Sequence, residues 1–162
     1  FYLDVGPETF SNITNDGDTV LRLLHYPALD DNTLLPGAVR AAAHEDINLL
    51  TLLISSTDSG LELQLRDGTW IAVNPEDGEI VVDSGDIMAR ITEGYIPATT
   101  HRVTNPDDGQ SERYSLPFFV HPRPDALLRV IPQYRDASRI KPTEDILAGT
   151  FLRQRLVALG LT

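Results

Sequence analysis

The clearest periodicity in the chain runs from Leu61 to Val73. Leu61, Leu63 and Leu65 alternate with Glu62, Gln64 and Arg66, which predicts a strand with one buried face. Asp67-Gly68 then supplies a hairpin signal before a second strand around Trp70–Val73. Apolar runs predict buried strands at Leu49–Ile54, bounded by the polar loop "SSTDSG", and at Ile80–Asp83, after the turn "NPEDGE". Val20–Tyr26 reads as a strand that Pro27 and the following "LDDN" bring to an end. "THRVTN" and "RYSLPFFV" read as two more strands, joined by the turn-rich "NPDDGQSE". "SGDIMARIT" suits a short helical turn with Ser84 as its N-cap. From Thr143 onward, apolar residues at 146, 147, 151, 152, 156, 157 and 159 follow the helical period, with Thr143 as cap and Gly160 as stop. Many short strands with turns every ~8–12 residues predict a sandwich or barrel. The expected fold is mainly β with a C-terminal helix over about 143–160. With no internal repeat, low-complexity tract or linker, residues 1–162 read as a single domain.

Composition narrows the function more than the fold. The 162 residues are 41% hydrophobic and 23% charged, ordinary for a globular chain. The 24 acidic and 13 basic residues give a net charge of −11, which argues against a nucleic-acid partner, since that needs a basic footprint. No apolar stretch reaches the ~18 residues of a membrane span. The start, "FYLDVGPETF", lacks the basic and apolar regions of a signal peptide. There is no cysteine, so disulfides and thiolate chemistry are excluded. A cytoplasmic protein is the simplest expectation, and the initial Phe1 suggests a processed chain or part of a longer one.

The candidate chemistry lies with the histidines. His25, inside a strand pattern, and His121, between strand and prolines, suit ordinary packed or solvated positions. His44 and His101 have more telling neighbours. In "AAAHEDINLLTLL", His44 and Asp46 are spaced to share one face if the segment is extended. That pair could be a capped turn of solvated charges or two ligands of a metal that accepts imidazole and carboxylate. His101, at the start of another strand, offers a third ligand from elsewhere in the fold. Two histidines and one carboxylate with open positions are the signature of non-haem Fe(II) oxygenases. Arg113 and Ser115, spaced i and i+2 on an extended run, point one way while Tyr114 points the other. A guanidinium beside a hydroxyl suits a carboxylate, because arginine offers a planar pair of donors.

Taken in order, these positions resemble the Fe(II)/2-oxoglutarate-dependent oxygenases of the isopenicillin-N-synthase-like group. The segments carrying the resemblance are "LRLLHYPAL", "AAAHEDINLLTLL", "GTWIAVNPEDGEIVVDSGD" and "THRVTNPDDGQSERYSLPFFVHPRPD", across about residues 18–125. The resemblance implies a double-stranded β-helix, or jelly roll, in which His44, Asp46 and His101 hold Fe(II). It implies that Arg113 and Ser115 bind the distal carboxylate of 2-oxoglutarate, with Tyr26 adding a hydrogen bond. O2 would then be consumed, succinate and CO2 released, and a small organic substrate oxidised, most simply by hydroxylation. Glu45 would face away from the metal. Met88, Tyr95 and Ile96 are candidates for the pocket wall, although packing is the commoner role for such residues. Members of this family run to about twice the length, so the N-terminal half of the family fold is expected to be shortened or missing here.

Two alternatives remain in view. Some members of the family oxidise their substrate without 2-oxoglutarate and turn the Arg-x-Ser pair to a substrate carboxylate. A non-catalytic jelly-roll module with a structural metal is the other. A carbohydrate-binding module would expose a platform of aromatics, and one Trp, five Tyr and five Phe, mostly in strand-like runs, offer no obvious one.

Overall fold

The computed structural model describes residues 3–29, 37–106, 111–136 and 143–161. In chain order the strands are β1 (Val20–Leu21), β2 (Leu24–Tyr26), β3 (Ala41–His44), β4 (Leu50–Ser56), β5 (Leu61–Gln64), β6 (Trp70–Ala72), β7 (Val81–Ser84), β8 (His101–Val103), β9 (Arg113–Val120), β10 (Leu127–Leu128) and β11 (Ile146–Leu147). The helices are α1 (Ser11–Thr14), α2 (Asp86–Ile91) and α3 (Ala148–Ala158). Among the described residues, no helix is long and apolar enough to cross a membrane.

Two antiparallel sheets face each other across an interior cavity, as in a jelly roll. The larger has the order β1-β9-β4-β7, with β2 also pairing with β9; the smaller has the order β3-β8-β5-β6. β8 and β9, consecutive in the chain, therefore lie in opposite sheets, and part of the "NPDDGQSE" connection falls outside the described residues. So does most of the "LDDN" that follows β2. A further pair, β10 with β11, lies apart from both sheets.

Local chemistry explains most boundaries. Gly68 takes a φ of 87° after a turn closed by Gly68 N–H to Leu65 O at 2.9 Å, so the Asp67-Gly68 signal does make the β5–β6 hairpin. The hairpin loop takes Leu65 with it, and that side chain ends 44% exposed rather than inward. The expected strand Val20–Tyr26 is broken into β1 and β2. Arg22 N–H donates to Pro117 O at 3.0 Å, but Pro117 has no N–H to return, so the ladder lapses opposite it.

Both expected helix caps lie elsewhere. Gly85, not Ser84, is the N-cap of α2; Ser84 belongs to β7, and its hydroxyl donates to Pro97 O at 2.8 Å. The C-terminal helix starts at Ala148 rather than near Thr143, because Ile146 and Leu147 pair with Leu128 and Leu127 as strand. Its first N–H groups need no side-chain cap: Ala148 donates to Ala126 O and Gly149 to Pro124 O, both at 2.9 Å. Its end is as expected. Gly160, at a φ of 70°, allows Gly160 N–H to reach Val157 O and Leu161 N–H to reach Leu156 O, both at 3.0 Å, a Schellman closure.

The largest buried apolar cluster is not between the sheets. It joins Leu49 to Ile87, Met88 and Ile91 of α2, Leu128 of β10 and Phe151 of α3. The helical end is thus the solid part of the fold, and the space between the sheets holds a cavity.

Candidate metal centre and active-site cavity

His44 closes β3 and His101 opens β8, and the two are direct partners across the antiparallel ladder. Their ring centroids are 4.3 Å apart. Asp46 lies just beyond β3, with Oδ1 3.8 Å from His44 Nε2. One potential ligand atom from each of the three residues lies within 4.8 Å of the others. His44 Nδ1 is 2.7 Å from Ala42 O, and His101 Nδ1 is 3.1 Å from Thr99 O. A carbonyl neighbour favours the proton on Nδ1 and leaves the Nε2 lone pair for a metal. Two imidazoles and a carboxylate so arranged fit a divalent ion that accepts nitrogen and oxygen while keeping positions open.

Because β3 stops at His44, strand alternation does not aim Asp46; its loop is held from outside. The backbone N–H groups of Asp86 and Ile87, opening α2, donate to Asp46 O at 2.8 Å and Asn48 O at 3.1 Å. Thr51 donates its hydroxyl to Asp46 Oδ2, and Asn48 Nδ2 donates to Thr51 Oγ1 at 2.6 Å. Asn48 is only 1% exposed, so this chain of hydrogen bonds is anchored in the buried interior. Gly85 allows the close approach: a Cβ there would fall 2.6 Å from Asp46 O.

Other carboxylates surround the ligands. Asp83 is the ladder partner of Thr51, and its Oδ2 lies 3.4 Å from His101 Nδ1. Burial pushes the Asp83 carboxyl above its usual range, opposed by a hydrogen bond from Thr99 and by His101. Glu45 accepts a hydrogen bond from Thr100 at 3.1 Å, so the neighbours of two candidate ligands are tied to each other. Asp86 meets Arg155 of α3, Nε to Oδ2, at 2.7 Å. Burial raises the Asp86 carboxyl; Arg155 opposes that rise and the adjacent Glu45 adds to it.

The cavity between the sheets has a volume of about 110 Å³. Leu53, Leu61, Leu63, Val81, Val103 and Phe119 supply apolar wall, and the His44–Asp46–His101 cluster opens onto it. Arg113, Ser115 and Tyr26 line the same space. The inward row of β9 runs Arg113, Ser115, Pro117, Phe119, and β2 sets Tyr26 opposite Arg113. Arg113 is 1% exposed, donates from Nε to Asp58 O at 3.2 Å, and holds its guanidinium carbon 5.5 Å from the centre of the Tyr26 ring. Burial lowers its pKa from the usual arginine value; Tyr26 and Asp58 oppose that and Arg40 adds to it.

The other candidates lie elsewhere. His25 faces outward, stacked on Tyr114 with centroids 4.5 Å apart. His121 is half-buried, and its backbone N–H donates to Thr19 Oγ1 at 3.3 Å. Met88 and Ile96 pack in and against the helical cluster, and Tyr95 stacks on Tyr134 at 4.6 Å; none of the three lines the cavity. Sequence reasoning missed Asn48, Thr51, Asp83 and Gly85. A polar residue in the apolar run "LLTLLI" was the available signal for Thr51.

Comparison with known proteins settles the family. The 2OG-Fe(II) oxygenase superfamily profile matches residues 17–122. The chain belongs to that superfamily. Among oxygenases of this superfamily, the 2-oxoglutarate-dependent dioxygenase citB of Monascus ruber is 39% identical over 130 residues, which cover 78% of this chain and 39% of that protein. A full-length Neurospora crassa protein, solved in complex with alpha-KG and thymine, superposes with a TM-score of 0.85 at 34% identity, over 97% of this chain and 49% of that one. A 2OG-Fe(II) oxygenase family protein from Caulobacter crescentus gives 0.83 at 39% identity, over 98% and 51%. The chain thus spans about half the length, or less, of the superfamily members it matches.

Proposed function

We propose that this chain carries the metal and cosubstrate sites of a 2-oxoglutarate-dependent dioxygenase that oxidises a small organic substrate. The observation that supports it most is the convergence of His44, Asp46 and His101 on a cavity that Arg113 and Ser115 also line. His44 and His101 would ligate through Nε2 and Asp46 through its carboxylate. Bound there, Fe(II) supplies the activation of O2 that couples decarboxylation of 2-oxoglutarate, to succinate and CO2, with oxidation of a substrate C–H bond.

The chain's own residues do the rest. Carbonyl contacts from Ala42 and Thr99 hold both imidazoles in one tautomer. Thr51 fixes the Asp46 carboxylate and leaves Oδ1 toward the imidazoles. In the dry interior of β9, Arg113 and Ser115 would take the distal carboxylate of the keto acid, with Tyr26 beside them. Charge pairing is stronger there than in water, because the walls keep the dielectric low. The apolar wall also keeps water from the reacting centre. The substrate reading is coarse: the Neurospora crassa relative was solved with thymine, and a molecule of that modest size is our expectation here. The net charge of −11 supports a small molecule over nucleic acid.

Anaerobic addition of Fe(II) followed by titration with 2-oxoglutarate tests the proposal. We expect a saturable visible charge-transfer band that is lost in Arg113→Met while Fe(II) binding persists. Fe(II) binding without any band would favour an oxidase that takes no keto acid. No Fe(II) binding would overturn the metal assignment.

A further inference from the structure

Asp86 is held at both ends. Its backbone N–H donates to the carbonyl of Asp46 at 2.8 Å, and its carboxylate receives Arg155 Nε at 2.7 Å. Arg155 belongs to α3, far along the chain from any candidate ligand. On the loop side the fit is tight. Gly85 leaves no room for a Cβ against Asp46 and Asn48, and Ile87 N–H holds Asn48 O at 3.1 Å. On the helix side Phe151 sits in the buried cluster with Ile87, Met88 and Ile91, so α3 approaches α2 as a packed body.

We propose that Arg155 is a positioning residue for the metal carboxylate, acting through Asp86 on the Asp46 loop. This rests on the metal reading above and adds the C-terminal helix to the machinery that sets the site. The physical case begins with charge. The Asp86 side chain is only 12% exposed, and the nearby Glu45 carboxylate adds like charge to it. A mostly buried carboxylate beside a second one keeps its place only with a cation opposite it. Without Arg155, Asp86 would turn toward water or away from Glu45, and the opening of α2 would turn with it. The N–H groups of residues 86 and 87 hold the loop that bears Asp46, so this motion reaches the metal carboxylate directly. Glu45 lies between His44 and Asp46 and is tied to Thr100, the neighbour of His101. Repulsion released at Asp86 therefore also presses on the contact that links the two ligand-bearing strands.

The test uses the 162-residue chain, stripped of metal by a chelator. Co(II), stable in air, is the probe, titrated by calorimetry well below the unfolding temperature of each variant. Arg155→Met should raise the Co(II) dissociation constant about tenfold or more, within the range typical of residues that orient metal ligands. Arg155→Lys should recover most of that loss. Arg153→Met, at an exposed position of the same helix, should match wild type. Asp86→Asn keeps the backbone donor and removes the buried charge that needs Arg155, so the Arg155→Met/Asp86→Asn double variant should regain most of the affinity that Arg155→Met loses. Arg155→Gln, also without charge, stands in if Arg155→Met does not fold. A lowered unfolding temperature with wild-type Co(II) affinity in Arg155→Met, or in Arg155→Gln where that stands in, would make the ion pair a helix-to-helix tie and overturn the proposal. So would a double variant that binds Co(II) no better than the Arg155 variant alone. A wild-type chain that binds no Co(II) would overturn the metal reading and this proposal together, which separates the two failures.

Discussion

The hydroxyl of Thr51 donates to Oδ2 of Asp46 from the inward face of β4. Thr51 in turn accepts from Asn48, whose Oδ1 is buried without a partner. A threonine among the leucines of β4 thus fixes which carboxylate oxygen would remain for a metal. Outer contacts of this type orient a ligand before the metal arrives, so less ordering is left to the binding event.

Thr51→Val keeps the β-branched shape and removes only the donor. Metal affinity should fall about 10–100-fold, because Asp46 loses the contact that holds its free oxygen in place. Anaerobic Fe(II) titration beside thermal unfolding of the metal-free chain checks this. Unchanged affinity would mean that the backbone contacts to the loop suffice alone.

Gly85→Ala tests those backbone contacts. The new methyl would sit 2.6 Å from Asp46 O and closer still to Asn48 O. Backbone cannot yield as a side-chain tip can, so α2 and the loop must separate. A stability loss of about 1–3 kcal/mol is expected in chemical denaturation, the range for overpacked positions. Metal affinity should weaken in the same variant, since Asp86 N–H and Ile87 N–H would be drawn off the loop.

Ser115→Ala probes the proposed cosubstrate end of the cavity. Ser115 is buried on β9, one inward position from Arg113. Losing a hydrogen bond to a charged carboxylate should cost about 1.5 kcal/mol, or roughly tenfold in 2-oxoglutarate affinity. Fe(II) affinity should stay at the wild-type level. Titration of the charge-transfer band gives both constants from one sample.

The legible parts of this fold are those set by neighbours in sequence. The Leu61-Glu62-Leu63-Gln64 alternation and the Asp67-Gly68 turn specify β5 and β6 within a dozen residues, and the structure has both. Gly160 likewise ends α3 by local geometry. The errors come from non-local competition. Ile146 and Leu147 satisfy a helical period equally well, but Leu127 and Leu128 draw them into a strand. Ser84 has cap chemistry, yet the ladder with Leu50 keeps it in β7 and leaves the cap to Gly85. The candidate site divides the same way. His44, Asp46, His101, Arg113 and Ser115 were visible as residue types at suggestive spacings. What aims Asp46 was not: beside the Thr51 hydroxyl, its loop is held by the N–H groups of residues 86 and 87, and their relation to it exists only once β4 and β7 have paired.

His121 offers a test that needs no metal. Burial lowers its imidazole pKa from the usual value of 6.5, against the pull of Asp18 and Asp46 and with help from Arg22. The sign follows from linkage. With a folded pKa below the unfolded one, the unfolded chain binds the extra proton first as pH falls. The stability tied to neutral His121 is therefore complete above the unfolded value, near 6.5, and is lost as pH drops toward the folded value. His121→Gln removes this titration while leaving the other three histidines in place. The metal-free wild-type chain should lose more stability between neutral and mildly acidic pH than the variant does. Denaturation curves for both chains, taken on either side of that window, measure the difference. Equal losses would place the histidine in an environment open to water, contrary to its place in the wall of a small cavity shared with Ile87, Pro124 and Leu152.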